Sequence, residues 1–336
     1  MDGVKTITTA SSGGEGPEIG LVDCTDTPLD EILDLLLVSL PMDLPTLILF
    51  DSSFDSTPRS FGLLERVAEL CETLLVAGVV ELSPAFFGLT TWDELDKRPY
   101  IPHYLEEQGY EKWQSLRKKP SARWLCASCN RFLARPRWGV EAAVRDVRFS
   151  EEDFLWVSPV WAVGALCAQS AVRWGWPTRV TDWRNCRLED LAVRQVSPKA
   201  AFPTEAGLSE DRIAQFAKAG IIALASMTNT DVVFMPSDNT VGMSSLGFQL
   251  LLSMTAQFLM WCRDHFADDV ALSELETGIR DILTLAWLKR GYDISDRIEV
   301  RASRIEKEGK TLIGLNIELP REVLPRGGTI SLEMPW

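Results

Sequence analysis

The sequence is poor in the groups on which most enzyme active sites depend. It contains only 2 histidines in 336 residues, His103 and His265, and neither stands at the spacing of a Ser-His-Asp triad or a metal-ligand set. Gly309-Lys310-Thr311 lacks the glycine that a phosphate-binding loop needs five positions earlier, because that position is Arg304. The residues therefore predict no catalytic, cofactor-binding or metal site of a recognisable kind.

The chain also lacks an excess of positive charge. Its formal net charge is -14, so no surplus of lysine and arginine is available to neutralise phosphates, which argues against nucleic-acid binding. The densest basic patch is Arg131, Arg135 and Arg137 near Trp138. We interpret it as a solvated loop or a salt-bridge patch between subunits, with a phosphate contact as the alternative.

The 7 cysteines lack the paired spacing of a secreted disulfide framework. Cys126 and Cys129 form a CxxC motif, but no second pair accompanies it, so we interpret it as structural rather than zinc-binding or redox-active. The others are Cys24, Cys71, Cys167, Cys186 and Cys262. Most lie in apolar runs, as buried free thiols do. Together with an N-terminus that lacks a basic and apolar leader, they predict a cytoplasmic protein.

Two uncharged stretches, at 154–172 and 239–262, reach the length that a membrane span needs. Polar residues interrupt both, among them Gln169 in the first and Gln249 and Gln257 in the second. The charges that flank them show no positive-inside asymmetry. We therefore expect two buried helices and no membrane insertion.

Apolar strand patterns and helical patterns alternate from residue 45 onward. Strands are predicted at 47–50, 76–82 and 124–128, and helices at 61–75 and 110–116. Such alternation is typical of an α/β protein with a mixed central sheet flanked by helices.

Beyond residue 241 the pattern changes to two long helices, predicted at 247–266 and 273–288, the second with Ser273 and Glu276 as a capping box. Two alternating segments joined by a turn at 306–310 then predict a β-hairpin, and a last strand follows at 329–333. The alternating positions of these strands are Ile298, Val300, Ala302, Ile313, Leu315, Ile317, Leu319, Ile330 and Leu332. A hairpin alone is marginally stable in water, so it needs neighbours along its edges.

The most distinctive stretch is 202–234. A helix capped at Ser209 and closed by Gly220 leads into an apolar strand at 221–225, and then into Thr228-Asn229-Thr230-Asp231. The further segments in the same order are 47–59, 83–89, 113–117, 131–136, 154–156 and 174–176. In pattern, order and spacing these segments resemble the large subunit of the type VI secretion contractile sheath (TssC/VipB-like), as a shortened or divergent member.

The resemblance implies a contractile-sheath-like core with extended terminal arms, in three parts. These are an N-terminal arm with a short helix over 1–44, an α/β sheath core over 45–240, and a helical pair with a C-terminal hairpin and strand arm over 241–336. In contractile sheaths the terminal arms supply strands to sheets of adjacent subunits. The nine alternating positions given above are therefore predicted to set the register of strand pairing between copies, as is a short strand at 4–9. The alternative is that the hairpin edges the protein's own sheet.

The resemblance further implies a bacterial, cytoplasmic, non-enzymatic subunit that polymerises helically around an inner tube and contracts to drive injection. The implied partners are other copies of the chain, the tube protein and a baseplate. A small sheath subunit and a disassembly ATPase of the AAA+ class are further candidates. Two other classes stay open: a cytosolic α/β enzyme that uses the strand-end carboxylates Asp51 and Asp55, and a low-order adaptor.

Overall fold

The computed structural model describes residues 4–8, 18–23, 29–39, 45–140, 142, 149–266, 270–305 and 310–336. Cys24, residues 306–309 of the turn predicted at 306–310, and residue 9 of the predicted N-terminal strand lie outside the described residues. The described strands, in chain order, are β1 (Val4–Thr8), β2 (Glu18–Asp23), β3 (Leu47–Phe54), β4 (Ala77–Leu82), β5 (Leu125–Cys129), β6 (Phe132–Leu133), β7 (Trp156–Val157), β8 (Arg194–Ser197), β9 (Ala200–Phe202), β10 (Ile221–Ala223), β11 (Ile298–Ile305), β12 (Lys310–Leu319) and β13 (Gly328–Pro335).

The described α-helices are α1 (Leu29–Ser39), α2 (Pro58–Leu74), α3 (Ile101–Tyr104), α4 (Glu111–Lys118), α5 (Pro159–Trp174), α6 (Glu210–Lys218), α7 (Leu246–His265) and α8 (Leu272–Lys289). Short 3₁₀ helices cover Pro84–Phe87, Trp92–Lys97, Pro120–Trp124 and Ser295–Arg297. The helices and strands predicted from apolar periodicity are all present, with ends that differ by a few residues. None of the described helices is long and apolar enough to cross a membrane.

A six-stranded sheet in the order β1-β2-β3-β4-β5-β10 forms the centre of the molecule. Within this sheet β2, β3, β4, β5 and β10 run parallel, and β1 is antiparallel to β2. This confirms the predicted mixed α/β sheet. Ile48 and Phe50 of β3 face one hydrophobic core, which includes α1 and α2, while Leu47 and Leu49 face another, which includes α5 and the start of α7. Burial on both faces explains why these strands are continuous apolar runs.

Local signals determine where the helices begin and end. Ser209 caps α6 by accepting a hydrogen bond from the Arg212 N–H, and Gly220 follows the helix with a φ of 74°. A Cβ at Gly220 would lie 2.9 Å from the Thr240 carbonyl oxygen, so glycine is required there. The capping box predicted for α8 is wrong: the helix begins after Ala271, which places Ser273 inside the first turn.

A second, three-stranded antiparallel sheet in the order β11-β12-β13 follows α7 and α8. One face packs on those two helices and forms a hydrophobic core of its own. Helix α7 belongs to both parts of the molecule, because Leu246 and Leu250 lie in the core beneath the main sheet while Leu251 and Leu259 lie in the core of the C-terminal sheet.

The N-terminus of α7 is fixed by a buried carboxylate, that of Asp238, a residue that is 5% exposed. Its Oδ2 accepts a hydrogen bond from the Ser245 hydroxyl and faces the Gly247 N–H at 3.5 Å. Its Oδ1 lies 3.2 Å from Nη2 of Arg326, in the turn that leads into β13. The negative charge therefore stabilises the positive end of the helix dipole and ties the C-terminal sheet to the central one.

Replacement of Asp238 by alanine should lower the free energy of unfolding by about 1–3 kcal/mol, because charge-assisted bonds in a buried site are lost. Asp238→Asn keeps one acceptor and should cost less. Urea unfolding followed by tryptophan fluorescence measures both. Asp264→Ala is the matched control, since Asp264 is an exposed aspartate near the other end of α7 and its ion pair with Arg263 is a surface pair at 3.5 Å. Equal losses in Asp238→Ala and Asp264→Ala would contradict the assigned role.

Candidate functional site

The nine residues predicted for strand pairing lie together in the C-terminal sheet. Ile298 is opposite Ile317, which is opposite Ile330, and the next row is Val300, Leu315 and Leu332. Ala302 is opposite Ile313, and Leu319 ends β12. All nine side chains belong to or pack against the core under this sheet. The side chains therefore stabilise the chain's own fold, while pairing of these strands with another copy stays a prediction about their backbone edges.

Strand β13 lies at the edge of this sheet, and every second residue directs its backbone groups to the side away from β12. The Trp336 N–H donates to the Thr311 carbonyl at 2.8 Å, just beyond the last registered pair of β12 and β13. In an antiparallel pair, the backbone N–H and C=O groups of successive residues face alternately towards the partner strand and away from it. The backbone groups of Met334, Leu332 and Ile330 therefore bond to β12, and those of the intervening residues point away from it. Those outward residues are Thr329, Ser331, Glu333 and Pro335. Among the described residues no strand pairs with this edge.

The other edge of the same sheet is partly covered. The outward N–H of Ala302 in β11 donates to Glu276 Oε1 of α8 at 2.6 Å. Glu276, predicted as part of a helix cap, thus serves a strand edge instead. Capping outward groups in this way protects an edge strand from pairing with another chain. Of the two edges, β13 is the more open.

At the N-terminal end of the chain, β1 forms one edge of the six-stranded sheet. It pairs with β2 in antiparallel register from Val4–Val22 to Thr8–Glu18. The strand predicted at 4–9 is thus present, with its inner edge satisfied within the chain. Strand β2 pairs in parallel with β3, so residues 18–23 continue the core sheet.

The arginines of the basic patch form contacts within the chain. Arg135 makes a bidentate pair with Glu151 at 2.5 and 2.6 Å, and its guanidinium lies 3.6 Å from the centre of the Trp138 ring. Arg131 Nε lies 2.5 Å from Glu81 Oε1, and Arg137 lies over the Phe154 ring. Arg131 and Arg135 are thus already neutralised by carboxylates, which leaves little reason for a phosphate contact here.

Glu81 and Glu205 both contact Arg131, an arrangement that sequence reasoning missed. Glu81 lies on the central strand β4, is 3% exposed, and is paired with Arg131. Glu205 accepts a bond from the Arg131 N–H at 3.3 Å, and burial raises the pKa of its carboxyl, with the nearby Arg131 charge opposing that rise. A single charge within the apolar run Val79-Val80-Glu81-Leu82 was the available signal.

The two aspartates of the enzyme alternative make local bonds. Asp55 Oδ1 accepts from Thr57 N at 3.0 Å and from the hydroxyls of Thr57 and Ser60 at 2.6 and 2.5 Å. The Ser60 and Thr57 bonds lower the pKa of Asp55. Asp51 Oδ2 accepts from Trp161 Nε1 at 3.0 Å. The Asp55 carboxylate therefore holds the β3–α2 turn, as a capping network does. The Asp51 carboxylate instead ties β3 to α5.

The CxxC cysteines lie on opposite faces of the sheet. Cys126 belongs to the core with α5, and Cys129 to the core with α2. Burial raises the pKa of both thiols well above the ordinary range, so neither is a thiolate at neutral pH. Within the described ranges, no group of three His, Cys, Asp or Glu side chains is placed to hold a metal ion.

Glu205 should produce a pH dependence of stability with a defined sign. Because its pKa is raised above the ordinary 4.5, the folded state holds the proton more tightly than the unfolded chain. The contribution of Glu205 to the free energy of unfolding should therefore fall as pH rises from 4.5 through the raised pKa. In Glu205→Gln this fall should be absent, as measured by urea unfolding across pH.

Glu151→Gln is the control for that experiment. Its bonds to Arg135 lower the pKa of Glu151 to about 2, so its contribution is present above the ordinary value and is lost only as pH falls towards about 2. As the pH rises above the ordinary 4.5, the Glu151→Gln difference from wild type should stay constant, whereas the Glu205→Gln difference should change until the pH has passed the raised pKa of Glu205. A constant difference in both variants would contradict the assignment.

A family model of sheath proteins matches residues 45–242, the segment that contains the central sheet from β3 onward. It is the VipB model, described as EvpB/VC_A0108, tail sheath N-terminal domain. The type VI secretion system sheath protein TssC1 of Pseudomonas aeruginosa is 26% identical over 200 residues, which is 54% of this chain and 39% of that protein. The chain thus spans well under half the length of this curated relative.

Solved structures of contractile particles share the fold. The helical sheath of the anti-feeding prophage in its contracted state aligns with a TM-score of 0.52 and 11% identity, over 89% of this chain and 74% of that chain. A chain of the baseplate of the same particle aligns with a TM-score of 0.52 and 12% identity, over 89% of this chain and 72% of the baseplate chain. At such identities the likeness concerns the fold alone.

Proposed function

Because this chain belongs to the VipB family of tail sheath proteins, we propose that it is a structural subunit of a contractile sheath. In this role, copies polymerise helically around an inner tube, and the change from an extended to a contracted lattice drives injection. The open edge of β13 is the observation that carries the proposal. An eight-residue edge strand whose outward side pairs with none of the described strands is a template for a strand from another copy.

The two sheets would have different roles in such a subunit. The core over 45–240 is the rigid body, since its sheet is buried on both faces and Glu81 pairs with Arg131 within it. The part over 241–336 carries the pairing edge, and the N-terminal part over 1–44 contributes β1 as a second edge strand. Hydrogen-bonded strands between copies can keep a lattice connected while the rigid bodies rotate and slide.

The partners of such a subunit are other copies of the chain, an inner tube protein and a baseplate, in the bacterial cytoplasm. A small sheath subunit and an AAA+ disassembly ATPase are further candidates. Family membership supports a structural role rather than an enzymatic one, and the engagement of Asp51 and Asp55 in local bonds agrees with it. No observation favours a second function.

Ser331→Pro tests the edge directly. Ser331 points its N–H away from β12, so proline removes an outward donor without breaking the β12–β13 ladder. We expect the wild-type protein to form tubes in negative-stain electron microscopy and the variant to stay in small species in sedimentation velocity.

Ser331→Ala is the matched control, because both substitutions remove the 2.7 Å hydroxyl bond to Asn316 and only proline removes the N–H. The alanine variant should form tubes. Thermal unfolding verifies that both variants keep the fold. Normal tubes from Ser331→Pro would contradict pairing through β13, and the absence of tubes or large assemblies from wild type would contradict the proposed function itself.

A further inference from the structure

An apolar groove of about 670 Å³ lies beside the start of α6, in the part of the chain that matches the sheath family. Its apolar lining residues are Trp183, Phe202, Leu208, Ile213, Met227, Phe234 and Pro236. Trp183 and Met227 are exposed, and the rings of Trp183 and Phe234 are 6.0 Å apart. Aromatic and methionine side chains in a concave surface are the composition of binding hot spots rather than of ordinary protein surface.

The shape of the groove depends on a glycine. A Cβ at Gly207 would lie 2.4 Å from the Phe202 ring, so only glycine allows that ring to occupy its place in the wall. The Ser226 hydroxyl lies 3.0 Å from the Thr204 hydroxyl, to which it is hydrogen-bonded. The Gly207–Phe202 contact and the Ser226–Thr204 bond therefore fix part of the groove wall.

A complementary apolar ridge lies in another part of the chain. Leu285 is 60% exposed and Leu288 is 45% exposed, and their spacing of three residues places them on one face of α8. These two residues, here called the leucine ridge, project from the helix whose opposite face packs on the C-terminal sheet. Lys289 follows directly and is exposed.

The charges beside the two surfaces are opposite. Glu210 lines the groove and is exposed at the first turn of α6, next to the exposed Asp211. Lys289 stands at the C-terminal end of the leucine ridge. Opposite charges at the rim of an apolar contact favour the correct partner and set its register.

We propose that the groove receives the leucine ridge of a second copy, with Lys289 of that copy beside Glu210. The groove belongs to the central α/β part and the ridge to the C-terminal helices, so the contact joins two different surfaces. A contact of this type repeats from copy to copy and produces rings or helical filaments rather than a closed pair. The inference rests on the proposed sheath function and supplies a side-chain contact in addition to the strand edge.

The test compares one substitution on each surface with a matched control. Leu285→Asp and Met227→Asp each place a charge in the contact and should raise the protein concentration needed for assembly by at least about tenfold, measured by sedimentation velocity and negative-stain microscopy. Val172→Asp is the control, because Val172 is 79% exposed on α5 and lies outside both surfaces. It should assemble as wild type does.

Charge reversal at two exposed positions provides a second measurement. Glu210→Lys and Lys289→Glu should each weaken assembly, and the double variant Glu210→Lys/Lys289→Glu should restore it, because the pair is re-formed with reversed signs. Thermal unfolding of every variant verifies that the fold is kept.

The outcomes separate this contact from the function on which it rests. Tubes from wild type that persist unchanged in both Leu285→Asp and Met227→Asp, or a double charge variant no better than the single ones, would overturn the groove contact alone. A wild-type protein that forms no assembly would overturn the sheath function and the contact together.

Discussion

The position of helix α7 is the constraint on which the rest of the molecule depends. One helix contributes Leu246 and Leu250 to the core under the central sheet, and Leu251 and Leu259 to the core under the C-terminal sheet. The Asp238 carboxylate fixes where that helix begins, and its contact with Arg326 fixes the turn that precedes β13. The placement of the open strand edge relative to the α/β body thus depends on the packing of α7 in two cores and on one buried charge.

Buried charges have a similar role at the central sheet. Glu81 reaches Arg131 just beyond β5, and Arg131 in turn holds Glu205 through its main chain. Ion pairs of this kind add little net stability, because removing the charges from water costs about as much as their attraction returns. Here they join segments that are distant in sequence, so they select one arrangement of loops over others. Phe202, in the wall of the groove proposed as a contact between copies, lies three residues before Glu205 in one of those segments.

The periodicity of apolar residues predicted most of the fold, because helices and strands that face a core repeat at 3.6 and 2 residues. Alternation at Ile298, Val300 and Ala302, and again from Ile313 to Leu319, predicted the hairpin. The resemblance to the family came instead from 202–234 and the segments that precede it, in their order along the chain. The sequence could not show whether each strand edge pairs within the chain or with another copy. The same alternation that pairs β11, β12 and β13 within the chain would serve pairing between copies equally well. Glu276 illustrates the difficulty, since its role depends on Ala302, 26 residues away, and no local pattern connects them.

Pro335 limits the length over which an added strand can pair with the free edge of β13. It stands at an outward position, so the series of donors on the free side ends at Glu333, after Thr329 and Ser331. With about 1 kcal/mol from each hydrogen bond, a ladder of this length frays and re-forms easily when its ends are pulled. A strand ladder of this strength can tolerate large relative movements of two neighbouring subunits. Because every copy would carry the same ladder, the many weak ladders together would keep the assembly intact.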